Sequence, residues 1–153
     1  NIQSWIFRFA NVIGQRVTHG ILYDFFNKLK TNPNVLEILG DGEQEKSYLY
    51  DEDCVDAMIY VIERVNDRIS IFNLGSNDQI KIKKIAQIVV DEMEMKPEFR
   101  FTGGPVGWKG DVPRMALDTT KITKLGWKPR YNSEQAVRMS VKGLKENMHL
   151  VFG

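Results

Sequence analysis

The chain has 153 residues, 42% hydrophobic and 27% charged, which is enough for one globular domain with its own core. Its 21 basic and 20 acidic side chains leave a net charge of +1, against the basic surplus expected of a nucleic-acid binder. One cysteine, Cys54, rules out an internal disulfide, the two histidines (His19 and His149) lie at opposite ends and argue against a zinc cluster, and no apolar run reaches the length of a membrane span. The expected setting is reducing, soluble and cytoplasmic, with no membrane and no nucleic acid as partner.

Ser4–Ala10 (SWIFRFA) reads as a hydrophobic strand with neither helix nor turn before it. Such a strand belongs beside others, so we expect it to derive from a larger sheet and, alone, to have no sheet to join. Asn11-Val12-Ile13-Gly14-Gln15-Arg16 follows, placing an amide, a glycine and a guanidinium where open α/β sheets often meet ligands. Asn11 offers donors and an acceptor, and the fork of Arg16 fits phosphate. A local role for Asn11 and a solvated Arg16 fit the spacing equally well. Thr18-His19-Gly20 then opens a helix with an Ile21, Leu22, Phe25, Phe26 and Leu29 stripe, His19 reading as a polar cap or rim residue.

The central stretch runs from Val35 to Ala57. Val35–Leu39 is a short apolar strand, Gly40-Asp41-Gly42 a sharp turn, and Lys46–Tyr50 an alternating, half-buried strand. Asp51, Glu52 and Asp53 suit the positive end of a helix, whose apolar stripe reads Cys54, Val55, Met58, Ile59, Ile62 and Val65. Cys54 is expected to be a small buried hydrophobe. Gln44 and Lys46, two residues apart, face alike and could hold an anion, or could form a solvent-exposed rim.

Ile69–Leu74 is a further strand, and Ile82, Ile85, Ala86, Val89, Val90 and Met93 mark an amphipathic helix. Lys81, Lys83 and Lys84 read as a solvated face. Phe99–Thr102 is a short strand that enters a loop with four glycines and two prolines in the twelve residues 103–114. With Trp108, Lys109, Asp111 and Arg114 in it, the loop is a functional flap or a surface crossing. Asp118 is expected to cap a short helix stopped by Gly126. Asn132 and Gln135 have capping-box spacing at the head of the last helix.

No Gly-x-Gly-x-x-Gly, no phosphate loop and no Gly-x-Ser-x-Gly turn occurs, and none of the five tyrosines is followed by lysine at the fourth position. The chain shows ligand-holding groups without a catalytic set.

Three ordered segments carry a resemblance. Arg8 to Arg16 is similar to the Arg-x-x-Asn-x-x-Gly-Pro-Arg segment of the extended short-chain dehydrogenase/reductase family, the nucleotide-sugar epimerases and dehydratases. Gly40 to Ala57 resembles that family's Gly-Asp-Gly-x-Gln-x-Arg-Asp-Phe-x-Tyr-Val-x-Asp-x-Val-x-Ala stretch. Gly110-Asp111-Val112, Asp118, Lys121 and Leu125-Gly126-Trp127-Lys128-Pro129 resemble its closing segment. Gln15 stands where the family has proline, Lys46 where it has arginine, and Val106 where an arginine is expected.

The resemblance, with UDP-glucose 4-epimerases nearest, implies an α/β chain: the last strand of a Rossmann sheet plus a small mixed α/β substrate-binding domain. It implies that residues 1–153 are one C-terminal substrate-binding region and residues 1–16 a remnant of an NAD-binding domain otherwise missing, with its glycine fingerprint and Tyr-x-x-x-Lys pair. NAD and a nucleotide sugar are the implied ligands. Epimerisation is the implied reaction of the parent, with dehydration, decarboxylation or a stand-alone binding module as alternatives. The chain alone is expected to be inactive, and to form homo-oligomers or exchange its N-terminal strand. Carried over by position, Asn11 and Lys46 would serve the diphosphate, Trp108, Lys109 or Arg114 would compensate for the arginine replaced by Val106, and Arg16 and Gln44 are expected among the substrate-binding residues. Leu36 and Ile38 would flank the base, Phe9 would stand near the nicotinamide, and Asp111 would anchor the closing loop.

Overall fold

The computed structural model describes residues 2–107 and 109–151. It is a mixed α/β chain in which short strands pair mostly in parallel. β1 (Ser4–Phe9) runs parallel to β6 (Ile69–Leu74), Ser4 opposite Ile69 and Phe9 opposite Leu74. β2 (Asn11–Ile13) pairs with β5 (Tyr48–Tyr50), and β3 (Val35–Ile38) with β8 (Glu98–Phe101), both in parallel. β4 (Glu45–Lys46) lies between β7 (Ile80–Lys81), antiparallel, and β9 (Arg114–Met115), parallel. Parallel partners need long crossovers, which the helices supply. These are α1 (Gly20–Thr31), α2 (Asp51–Arg64), α3 (Ile82–Glu92), α4 (Thr120–Leu125), α5 (Ser133–Glu146) and α6 (Met148–Val151).

Two hydrophobic clusters hold these layers. In the first, Leu22, Phe25, Phe26 and Leu29 of α1 meet Ile85 and Val89 of α3 and Val137, Val141 and Leu144 of α5 over β3 and β5. In the second, Cys54, Ala57 and Val61 of α2 meet Phe72 and Leu74 of β6 and Ile122 and Trp127 from α4 and its exit. Each helix contributes residues three or four apart, the spacing that keeps one face inward.

The structure corrects four expectations. The N-terminal strand does have a sheet to join. Its N–H and C=O groups pair with β6, and Trp5 Nε1 donates to the Val65 carbonyl at 3.1 Å. Lys46–Tyr50 is not one half-buried strand. Ser47 divides it, β4 joins one sheet and β5 another, and Tyr48, Leu49 and Tyr50 are all buried because α2 and α5 pack on β5. A strand covered on both faces loses the polar alternation that a half-buried strand keeps. On α2 the row Cys54, Ala57, Val61 turns inward, while Val55, Ile59 and Ile62 are exposed. A helix with apolar residues around most of its circumference does not reveal by periodicity which row is inside. The N-cap of α4 is Thr119 rather than Asp118. Asp118 Oδ1 still accepts the Thr120 N–H at 2.9 Å. No helix among the described residues is long and apolar enough to cross a membrane.

Candidate functional site

A cleft of about 590 Å³ opens where the start of α1, the β4–β5 segment and the 103–115 crossing meet. The central stretch builds one wall. The Gln44 carbonyl accepts the Ile82 N–H at 3.0 Å, the Glu45 N–H donates to the Pro113 carbonyl at 2.8 Å, and the Ser47 N–H donates to the Met115 carbonyl at 3.1 Å. These bonds fix a peptide whose alternate side chains, Gln44, Lys46 and Tyr48, line the cleft. Gln44 is buried beneath the turn before it, its Nε2 donating to the Leu39 carbonyl at 3.1 Å. Gly40 is required there: its φ is +81°, and a Cβ would lie 2.0 Å from Gln44 Nε2. The rim reading of Gln44 and Lys46 is thus replaced by a wall reading.

Lys46 does not stand free. Its Nζ lies 2.6 Å from Asp111 Oδ1, the two side chains being 14% and 12% exposed, and it also donates to the Val112 carbonyl. Asp111 Oδ2 accepts the Gly107 N–H at 3.0 Å. Burial pushes the Asp111 carboxyl up, but the bonds from Lys46 and Gly107 outweigh it and hold the group below its ordinary value. Burial pushes the Tyr48 hydroxyl up, so it faces the cleft as a neutral group.

Opposite this wall is the head of α1. His19 occupies the N-cap without a side-chain cap bond, the first turn holds no acidic residue, and Gly20 and Ile21 line the cleft. An uncapped helix N-terminus carries partial positive charge and free N–H groups, a setting suited to an anion. Asn11 also lines the cleft, its Nδ2 donating to the Ser47 carbonyl at 3.2 Å.

The cleft therefore gathers Asn11, Gln44, Lys46 and Asp111. It does not gather the rest. Arg16 lies exposed on the turn after β2, Lys109 is exposed, and Phe9 sits exposed at the end of β1, none of them lining the cleft. Leu36 and Ile38 are fully buried in the first cluster, and the neighbouring Leu39 faces the cleft instead. Trp108 lies outside the described residues. Sequence reasoning missed Tyr48, Ile82, Met115 and the head of α1. For Tyr48 the signal was present, since it stands two residues beyond Lys46 as Lys46 stands beyond Gln44.

Parallel strands joined by helices, with a cleft beside them, define an open-sheet α/β chain. Residues 1–75 match the NAD dependent epimerase/dehydratase family, so the chain carries an epimerase-family domain. It is 28% identical over 153 residues to a putative UDP-glucose 4-epimerase of Methanocaldococcus jannaschii, covering 95% of this chain and 47% of that protein. A GDP-L-fucose synthase of Sinorhizobium fredii is 30% identical over 114 residues, covering 74% of this chain and 35% of that one. A crystal structure of a UDP-galactose 4-epimerase superposes with a TM-score of 0.82 at 37% identity, covering 95% of this chain and 46% of that chain. The chain spans about half the length of these relatives, or less.

Proposed function

We propose that this chain is the nucleotide-sugar-binding half of an NAD-dependent sugar-nucleotide 4-epimerase of the UDP-glucose/UDP-galactose type. The observation that carries the proposal is the cleft in which Lys46, Asn11 and the uncapped head of α1 converge. The N–H groups of α1 and the Lys46 ammonium would take the diphosphate, and Leu39 and Ile82 would offer an apolar wall to the nucleoside. Binding energy gained there orients the sugar, which is how a part of the substrate remote from the reacting carbon contributes to rate. NAD, when bound, supplies hydride transfer. This sequence has no Gly-x-Gly-x-x-Gly turn to cradle a dinucleotide, so NAD would be held mainly outside these residues, and residues 1–16 would be the edge of the sheet that holds it. With no Tyr-x-x-x-Lys pair, the chain alone would bind and orient without turnover.

The test is calorimetric titration of this chain with UDP, UDP-glucose, GDP and dTDP, repeated on Lys46→Ala. We expect UDP ligands to bind best and Lys46→Ala to bind about tenfold more weakly, the scale of a lost charge-assisted bond. A folded chain indifferent to all four would overturn the proposal. A preference for GDP or dTDP would retain the site and move the parent toward a dehydratase, decarboxylase or other sugar-nucleotide enzyme.

A further inference from the structure

A buried tyrosine ordinarily gives its hydroxyl a hydrogen-bond partner. Tyr48 does not. It is 5% exposed, and its ring packs in the first hydrophobic cluster. Its N–H donates to Ser133 Oγ at 3.0 Å, but its hydroxyl has no hydrogen-bond partner among the described residues. Nor is that hydroxyl sealed in. Gln44 Oε1 and Ser70 Oγ are unpartnered and fully enclosed, whereas Tyr48 opens on the cleft. We propose that the Tyr48 hydroxyl contacts the ligand directly, donating a hydrogen bond to a phosphate oxygen of the diphosphate. The proposal rests on the reading that the cleft receives a nucleoside diphosphate.

The position of the hydroxyl is set before any ligand arrives. β5 pairs with β2, which places Asn11 opposite Tyr48, and α5 packs on β5 from behind. A group held in this way loses little freedom when it binds, so its bond adds to affinity with a small ordering cost.

The surroundings decide the direction of the bond. Burial, and after it the Asp111 carboxylate, push the Tyr48 hydroxyl up, so it keeps its proton and can donate. The Lys46 ammonium, two residues back along the wall, and the uncapped head of α1 across the cleft are also donors. A ligand that satisfies all three must present acceptors. Phosphate oxygens accept several bonds at once, and a bond to a charged oxygen is stronger than one to a neutral hydroxyl. Lys46 shares its charge with Asp111 at 2.6 Å. A neutral donor beside that pair strengthens the hold on an anion without the desolvation cost of a second buried cation.

The experiment titrates the 153-residue chain and Tyr48→Phe with UDP and with uridine, and follows the urea unfolding of both. Tyr48→Phe keeps the ring and removes one oxygen. It should bind UDP about tenfold more weakly, the scale of a bond to a charged group, and bind uridine as the unmodified chain does. Its urea midpoint should stay level or rise, because no bond within the fold is lost. Equal UDP affinity in the two chains overturns the proposal. An equal loss for UDP and uridine also does, since the hydroxyl would then serve the nucleoside. So does a lowered urea midpoint, which would mean that the hydroxyl is bonded within the fold. In these cases, with UDP bound by the unmodified chain, the cleft reading stands without Tyr48. If the unmodified chain binds neither ligand, the cleft reading fails and takes this proposal with it.

Discussion

Asp53 and Arg130 fasten the first turn of α2 to the turn that precedes α5. Arg130 Nε lies 2.6 Å from Asp53 Oδ1, and the backbone N–H groups of Arg130 and Tyr131 reach Oδ2 at 2.9 and 3.2 Å. Asp53 is 1% exposed, so its charge is tolerable because these donors and the positive end of α2 surround it. Asp53→Ala would take the buried acceptor away from two part-buried backbone N–H groups and from the Arg130 guanidinium. We expect a loss of about 2–4 kcal/mol in urea unfolding, and a loss under about 0.5 kcal/mol would show that the bonds contribute little.

Gly143 sits inside α5, where alanine would ordinarily stabilise by about 1 kcal/mol. Here a Cβ would lie 2.5 Å from Gln15 Cγ and 2.7 Å from Gln15 Cβ. An atom that close to the backbone cannot swing clear unless the turn after β2 moves. We expect Gly143→Ala to destabilise by about 1–3 kcal/mol despite its helix propensity. A raised melting temperature would show the opposite sign.

Glu43 is held by Lys81 and Lys83, whose hydrogen bonds lower its carboxyl to about 2. Its folded value lies below the unfolded one, so its contribution to stability is complete above the ordinary carboxylate range. That contribution is lost as pH falls toward 2. The group is exposed, so salt should raise its midpoint toward the ordinary value. A carbon-detected NMR titration of Glu43 at low and high salt would check both statements; a midpoint above 4 at low salt would contradict them.

The second apolar row of α2 (Val55, Ile59 and Ile62) and the outward side of the β1–β6 pair (Ile6, Ile69 and Ile71) leave large hydrophobics in water. Exposed apolar surface of this kind drives association. We expect sedimentation of this chain to depend on concentration, and Ile59→Lys to reduce that dependence with little effect on unfolding. A concentration-independent monomer would contradict this.

What could be read from the sequence was local. The capping box at α5 forms as its spacing predicts: Asn132 Oδ1 accepts the Gln135 N–H at 2.8 Å, and Gln135 Oε1 accepts the Asn132 N–H at 3.0 Å. Gly126 ends α4 with a φ of 106° because no side chain opposes that conformation. Pairings at a distance left no such trace. The division at Ser47 depends on which strands flank it, and the inward row of α2 depends on the sheet beneath. Gln44 and Lys46 were legible as candidates. The capture of Lys46 by Asp111 was not, because residues far apart in the chain meet only once the loop has crossed the cleft.

The pairing of β1 with β6 also sets an order of assembly. β1 is made before its partner, which begins only at Ile69, after α1 and α2 have been made. Closing so long a loop is entropically costly before its contacts form, and parallel pairing gives no hairpin shortcut. An aromatic-rich segment therefore waits for β6 while the helices behind it condense. Docking of β1 should come late, with φ-values near zero at Phe7 and Phe72, whereas residues of α5 should report structure already present at the rate-limiting barrier.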